Sequence, residues 1–279
     1  MVMKEGFQWL KNNRKRLQYV LVMQSNVKFT LVWMTFVIGS FSYDFVALPQ
    51  SYFSNRRNIF NVLFVKKGWG WTFFVLAGYL FCILLKKRVT NLKVFYQHFS
   101  RLFVLTLAWF ISTSVFDIVE NYTGSCLGQE VLDKLNCKEN GFIWSGFDVS
   151  GHCFLLTFCI LIINEELHST NAYNLSSNDE SQSNYTEEKK RKSMKSVYGI
   201  DIEEKYVDHA LEVLSVMLIV FMLLWEVMLF FTCAYFHTLL QKLCGIIAGA
   251  SCAYLCYDVI FKLESVYAPS PPSVIGLNN

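Results

Sequence analysis

Six apolar runs, most close to the roughly 20 residues that cross a bilayer as helix, constrain this chain more than anything else in it. They fall at about 27–48, 69–85, 102–119, 146–164, 211–235 and 239–261. Hydrocarbon offers no water to backbone N–H and C=O groups, so such runs satisfy their backbone internally as helices. Composition agrees: the chain is 53% hydrophobic and only 17% charged, where a soluble globular chain carries about 25% charged residues. The expected fold is all-α, a polytopic membrane protein with six transmembrane helices.

An even number of spans puts both termini on one side. That side also takes the connections 86–101 and 165–208, and with them 18 of the 25 Lys and Arg. The positive-inside rule then places both termini in the cytosol. Residues 1–26 form a basic, amphipathic segment, with Phe7, Trp9 and Leu10 interleaved with Lys11, Arg14, Lys15 and Arg16. Such a pattern suits a helix on an anionic membrane surface or a solvated topogenic tail. No small-residue cleavage site follows it, so the first span is expected to serve as the targeting signal. Residues 27–263 form the membrane domain, interrupted by a polar cytosolic linker at 166–206. Residues 264–279 form a cytosolic tail.

Seven of the nine cysteines lie in or beside spans, where cysteine is usually a small apolar packer. Cys126 and Cys137 stand apart in the loop 120–147, on the side opposite the termini. A disulfide there would close a short loop in an oxidising compartment. No Cys-x-x-Cys or neighbouring histidine accompanies them, so no metal is expected. No cofactor is expected, and neither is a nucleic-acid partner.

Chemistry concentrates at two histidines. Ser150-Gly151-His152 opens the fourth apolar run, and His237 closes the fifth. Those spans run in opposite directions, so both histidines reach the same membrane face. The first turn of a helix presents unpaired N–H groups and the positive end of its dipole, which suits an anion. Gly151 lets backbone approach a ligand closely, and Ser150 offers a hydroxyl and a cap. His98, His168 and His209 read as solvated or interfacial groups. Glu226 lies eleven residues before His237, about 16 Å deeper along a helix. It reads as a protonated carboxyl bonded to neighbouring helices or, alternatively, as a lipid-binding or histidine-orienting polar group.

Asp148-Val149-Ser150-Gly151-His152, Phe154-Leu155-Leu156 and Tyr235-Phe236-His237 resemble the fat storage-inducing transmembrane proteins, six-span endoplasmic reticulum proteins of lipid-droplet formation. The Ser-Gly-His core is also similar to that of the lipid phosphate phosphatases. The resemblance implies a fatty acyl-CoA diphosphatase, with His237 as nucleophile and His152 as general acid. Its site would face the lumen. The implied partners are fatty acyl-CoA, the membrane, and the neutral lipids diacylglycerol and triacylglycerol. Ser150, Gly151 and, by proximity, Lys242 would bind substrate; Arg56, Arg57, Lys66, Lys67, Lys134 and Lys138 are the other cations available. A non-catalytic protein that binds diacylglycerol or triacylglycerol is the alternative. The chain departs from the phosphatase pattern at Val149, where those enzymes have proline. It departs again at Phe231 and Gln241, where they have an arginine and an aspartate around the nucleophile.

Overall fold

The structure, a computed structural model, describes residues 21–46, 48–87, 92–128, 133–181 and 204–263. The amphipathic segment expected at 1–26 lies outside these up to residue 20. Residues 182–203 of the linker and the tail 264–279 also lie outside them. The helices are α1 (Ser25–Phe45), α2 (Gly68–Lys86), α3 (Leu92–Thr123), α4 (Lys134–Glu139), α5 (Gly151–Ser181), α6 (Glu204–Tyr235) and α7 (Leu239–Tyr254). A small antiparallel hairpin pairs β1 (Ser125–Leu127) with β2 (Ile143–Ser145).

Among the described residues, five helical stretches are long and apolar enough to cross a membrane: Phe60–Lys86, Leu92–Thr123, Gly151–Thr170, Lys205–Tyr235 and Leu239–Lys262. The chain is therefore a helical, multi-pass membrane protein. α1 has the length, at 21 residues, but Lys28 and Asp44 dilute its apolar run. It is nevertheless held in the bundle. Lys28 is buried and ion-paired with Glu226 of α6. Higher up, Gly39 lies so close to α6 that an added Cβ would fall 2.7 Å from the Cys233 Cβ. Glu226 is thus bonded to a neighbouring helix, as expected, and its partner there is a cation.

Three expectations are corrected. The second span starts at Phe60, not near 69, through a π turn (Phe60–Phe64) and a 3-10 turn (Val65–Lys67). Lys66 and Lys67 hide that continuity in the sequence. α3 begins at Leu92, so His98 and Arg101 lie inside a helix, and both are buried. Arg101 sits 3.3 Å from the Glu166 carboxylate, which also accepts a 2.8 Å hydrogen bond from the Tyr257 hydroxyl. An acidic partner on α5 thus draws in Arg101, which sequence alone places at the interface. Finally, α5 continues to Ser181, sixteen residues into the segment read as linker.

α5 is the axis of the molecule. In its most apolar window 78% of residues are buried, against 11% for α3, which lies at the periphery. α7 crosses the start of α5 on two glycines one turn apart. A Cβ on Gly245 would meet the Ser150 carbonyl oxygen at 2.5 Å, and one on Gly249 the Phe154 carbonyl oxygen at 2.6 Å. Small residues at this spacing let two membrane helices approach through their backbones.

Between α3 and α5 the chain builds a stapled cap. Cys126 and Cys137 are joined in a disulfide, as the sequence suggested. Lys134 of α4 donates to the Glu120 carboxylate at 2.6 Å, and the Trp144 indole N–H donates to the Glu120 carbonyl at 3.3 Å. The backbone N–H of Phe147 donates to the Thr123 hydroxyl. The hairpin is thereby tied to the end of α3, directly before the Ser-Gly-His turn.

Candidate functional site

Ser150 caps α5. Its hydroxyl accepts the Cys153 N–H at 3.3 Å, and its own N–H donates to the Gln241 carbonyl on α7 at 3.1 Å. The side chain is fully buried, so Ser150 positions the turn. Gly151 follows on the surface of a cavity, and an added Cβ there would meet no atom within 4 Å. His152 comes next and faces the same cavity.

His237 arrives from the corner between α6 and α7. Phe236 N–H still donates to the Thr232 carbonyl. Thr238 already caps α7, its N–H donating to Gln241 Oε1 at 3.0 Å. Only His237 is left to reverse the chain, and it does so at φ 61°. That left-handed conformation usually falls to glycine at a helix C-terminus. In a side-chain-bearing residue it costs of order 1 kcal/mol or more, and such outliers cluster at functional sites.

Both histidines line one cavity of about 480 Å³, within the range of small-molecule sites. Its wall carries two cations, Arg56 and Lys66, and three carboxylates, Asp117, Glu120 and Asp148. Glu120 is neutralised by Lys134. Its inward wall is apolar, formed by Phe53, Phe116, Met228 and Phe231. Phe53 stacks on Phe231 with ring centres 3.9 Å apart.

The loop 48–61 ties the two histidines together. Arg56 lies over the Phe236 ring, 5.7 Å from its centre. Asn61, at the start of the π turn, is 2.9 Å from His152 Nε2 through its Oδ1. On the other side, the Asp148 carboxylate lies 3.9 Å from His237 Nδ1. Burial lowers the His237 pKa; Asp148 and a Gln241 hydrogen bond oppose this, while Arg56 and Lys242 add to it. The imidazole is therefore held further toward its neutral form than a free histidine.

The structure thus brings His152, Gly151 and His237 to one cavity, with Ser150 just beneath. Lys242 is elsewhere. It is fully buried, donating to the Cys233 carbonyl at 2.9 Å, with its ammonium 4.3 Å from the Tyr43 ring centre. It does not line the cavity. Sequence reading named Arg56 and Lys66 only within a larger set and missed Asn61, Asp117 and Asp148 as cavity residues. Asp148, two residues before Ser150, supplies a carboxylate beside His237 although Gln241 stands at the usual aspartate position. The signal was its place inside the quoted motif.

A bundle of apolar helices with two histidines, two cations and three carboxylates around one cavity at its rim defines a multi-pass membrane protein with an ionisable pocket. The family model FIT, Fat storage-inducing transmembrane protein, matches residues 49–257, and the chain belongs to that family. It is 33% identical over 251 residues to the human acyl-coenzyme A diphosphatase FITM2, covering 86% of this chain and 84% of that protein. To the Xenopus tropicalis protein of the same name it is 33% identical over 242 residues, covering 84% and 82%. To that of Drosophila melanogaster it is 33% identical over 224 residues, covering 74% and 51%. No solved structure matches the chain.

Proposed function

We propose that this protein is an endoplasmic reticulum fatty acyl-CoA diphosphatase. It hydrolyses the CoA pyrophosphate to acyl 4′-phosphopantetheine and adenosine 3′,5′-bisphosphate, supporting lipid-droplet formation and lipid homeostasis. The chain spans the membrane six times, α1 included, with both termini cytosolic and the cavity on the lumenal side. The Cys126–Cys137 disulfide supports an oxidising environment for the cap beside the cavity.

The observation that carries the reading is the convergence of His152 and His237 on a cavity walled by Arg56 and Lys66. Asp148 places its charge on the Nδ1 side of His237, at 3.9 Å, leaving Nε2 to attack one phosphorus. A P–N bond forms, the bridging P–O bond breaks, and its electron pair leaves with the second phosphate. His152 gives that oxygen a proton. Water then attacks the phosphohistidine, loses a proton to His152 and releases His237. Arg56 and Lys66 offset the diphosphate charge, as preorganised cations do in phosphoryl transfer. Phe231 and Met228 receive the first part of the acyl-bearing end.

Purified protein in detergent, given oleoyl-CoA, is expected to release adenosine 3′,5′-bisphosphate, and His152→Ala and His237→Ala each to abolish release. Wild-type rates in either variant would sink the reading. Neutral-lipid binding is the second reading. A cavity of about 920 Å³ at the other end of the bundle favours it, with Phe29, Leu161 and Tyr254 beside Ser25, Glu165 and His168. It requires saturable diacylglycerol binding that survives both histidine changes, without turnover.

A further inference from the structure

We infer that Asn61 is a positioning residue that holds the proton of neutral His152 on Nε2, so that Nδ1 is the nitrogen that exchanges a proton in the reaction. The inference rests on the diphosphatase reading for its catalytic consequence, but the tautomer itself does not.

An asparagine amide can be turned by half a rotation without visible change, so its orientation must come from its partners. Here they leave one choice. The Asn61 Nδ2 donates to the Arg56 carbonyl at 2.7 Å. A carbonyl oxygen only accepts, so the NH₂ edge must face Arg56. The other edge, Oδ1, has no hydrogen to give. His152 Nε2, 2.9 Å from it, must therefore be the donor.

The asparagine is itself locked. Its backbone N–H donates to Asn58 Oδ1 at 2.7 Å, and Asn58 Nδ2 donates to the Asn55 carbonyl at 2.8 Å. Asn58 and Asn61 are both buried. Asn55, Asn58 and Asn61 thus form a relay at three-residue spacing that ends on the imidazole. Nothing in this relay ionises, so it holds the same polarity at every physiological pH.

The chemistry follows from this polarity. With Nε2–H committed to Asn61, a second proton enters the ring at Nδ1. When the bridging P–O bond breaks, the leaving oxygen keeps the electron pair and takes the Nδ1 proton. The ring returns to the neutral Nε2–H form that Asn61 already holds. A ring held in one tautomer by a partner on its other nitrogen is a recurrent way of directing histidine chemistry.

Two measurements test it. The first is nitrogen NMR of histidine-labelled protein in nanodiscs, with the His152 signal assigned by its loss in His152→Ala. Wild type should show the Nε2–H tautomer, and Asn61→Leu a mixture or the Nδ1–H form. The second is the pH dependence of kcat. The charged groups lining the cavity around His152 are Arg56, Lys66, Asp117, Glu120, Asp148 and His237, and neither variant alters them. Asn61→Asp gives up the bond to the Arg56 carbonyl but keeps an acceptor toward His152 and adds a charge, so the alkaline limb should move up by about one to two pH units. Asn61→Leu should lower kcat about 10–100-fold with KM within about twofold. A merely structural role would lower yield or thermal stability in both variants and move neither the tautomer nor the limb. A wild-type Nδ1–H tautomer, or an Asn61→Leu protein with an unchanged tautomer and profile, overturns the inference. If wild type proves inactive, the diphosphatase reading falls while the tautomer still decides the role of Asn61.

Discussion

Two glycines at the Ser-Gly-His turn should answer opposite questions when changed to alanine. At Gly245 the new Cβ would lie 2.5 Å from the Ser150 carbonyl oxygen, 3.1 Å from the Cys153 Cβ and 3.2 Å from the Phe154 nitrogen. All three belong to the first turn of α5, and none is the free end of a flexible side chain. Restoring even a tight contact of about 3.2 Å requires α7 and this turn to separate by roughly 0.7 Å, short of the ordinary 3.5–4.0 Å. The shift loads the 3.1 Å hydrogen bond from Ser150 N–H to Gln241 and carries His152 with it. Overpacking of this kind costs about 1–3 kcal/mol. A displacement of about 1 Å at a reacting group costs about 100-fold in rate. Gly245→Ala is therefore expected to lose roughly 30–100-fold in kcat for nucleotide release from oleoyl-CoA. Its Tm should fall, measured by intrinsic fluorescence in the same detergent. Gly151→Ala introduces no clash and should keep the wild-type Tm. Its methyl enters the cavity floor, so KM should rise while the fold is untouched. A Gly245→Ala protein with wild-type kcat would refute the claim that α7 sets the position of His152. A Gly151→Ala protein with a clearly lowered Tm would refute the placement of that glycine on open space.

Three further outcomes are expected. His237→Gly and His237→Ala should both be inactive, but the glycine variant should be the more stable, by about 1 kcal/mol, because φ 61° penalises a Cβ; comparing their Tm values checks this, and equal or reversed values reject the strain. Lys28→Met should destabilise by about 3–5 kcal/mol by leaving Glu226 without its cation; Lys28→Met with Glu226→Met should recover most of that loss in a denaturation cycle, and simple additivity would reject the pair. Because the folded pKa of His237 is depressed, the unfolded chain binds the proton more readily. Stability should then be full above the unfolded value, near pH 6.5, and decline as pH falls below it. His237→Gln should flatten that decline in Tm-versus-pH scans, and an equally steep one would reject the assignment.

Much of this was legible in the residues, for definite reasons. Long apolar runs announce helices because hydrocarbon permits little else, so five spans are legible in the sequence, with the last matching almost residue for residue and the starts of the second and third extending well beyond their apolar runs. The start of the second was lost because Lys66 and Lys67 broke the apolar pattern, though their ammonium groups can reach the rim and the cavity. Ser150 was legible as a cap because capping is local. Lys242 was assigned by nearness in sequence to His237, but one helical turn rotates its side chain toward Cys233 and Tyr43. Asn61 and Asp117 were invisible for the complementary reason: tertiary packing alone brings Asn61 to His152 and Asp117 to the cavity wall, and nothing in their neighbours marks them. The αL corner at His237 was hidden because histidine stands where a turn would advertise itself with glycine.

The pairing of Lys28 with Glu226 sets a schedule for making the protein. With α1 seated in the bilayer as proposed, its lysine needs a counter-charge that is encoded nearly two hundred residues downstream. At about 5–20 residues per second of synthesis, that delay lasts roughly 10–40 seconds. During it the nascent chain holds an orphan ammonium, and α1 must wait at the translocon or the bilayer edge. Its final lodging is decided by a helix that the ribosome has not yet made.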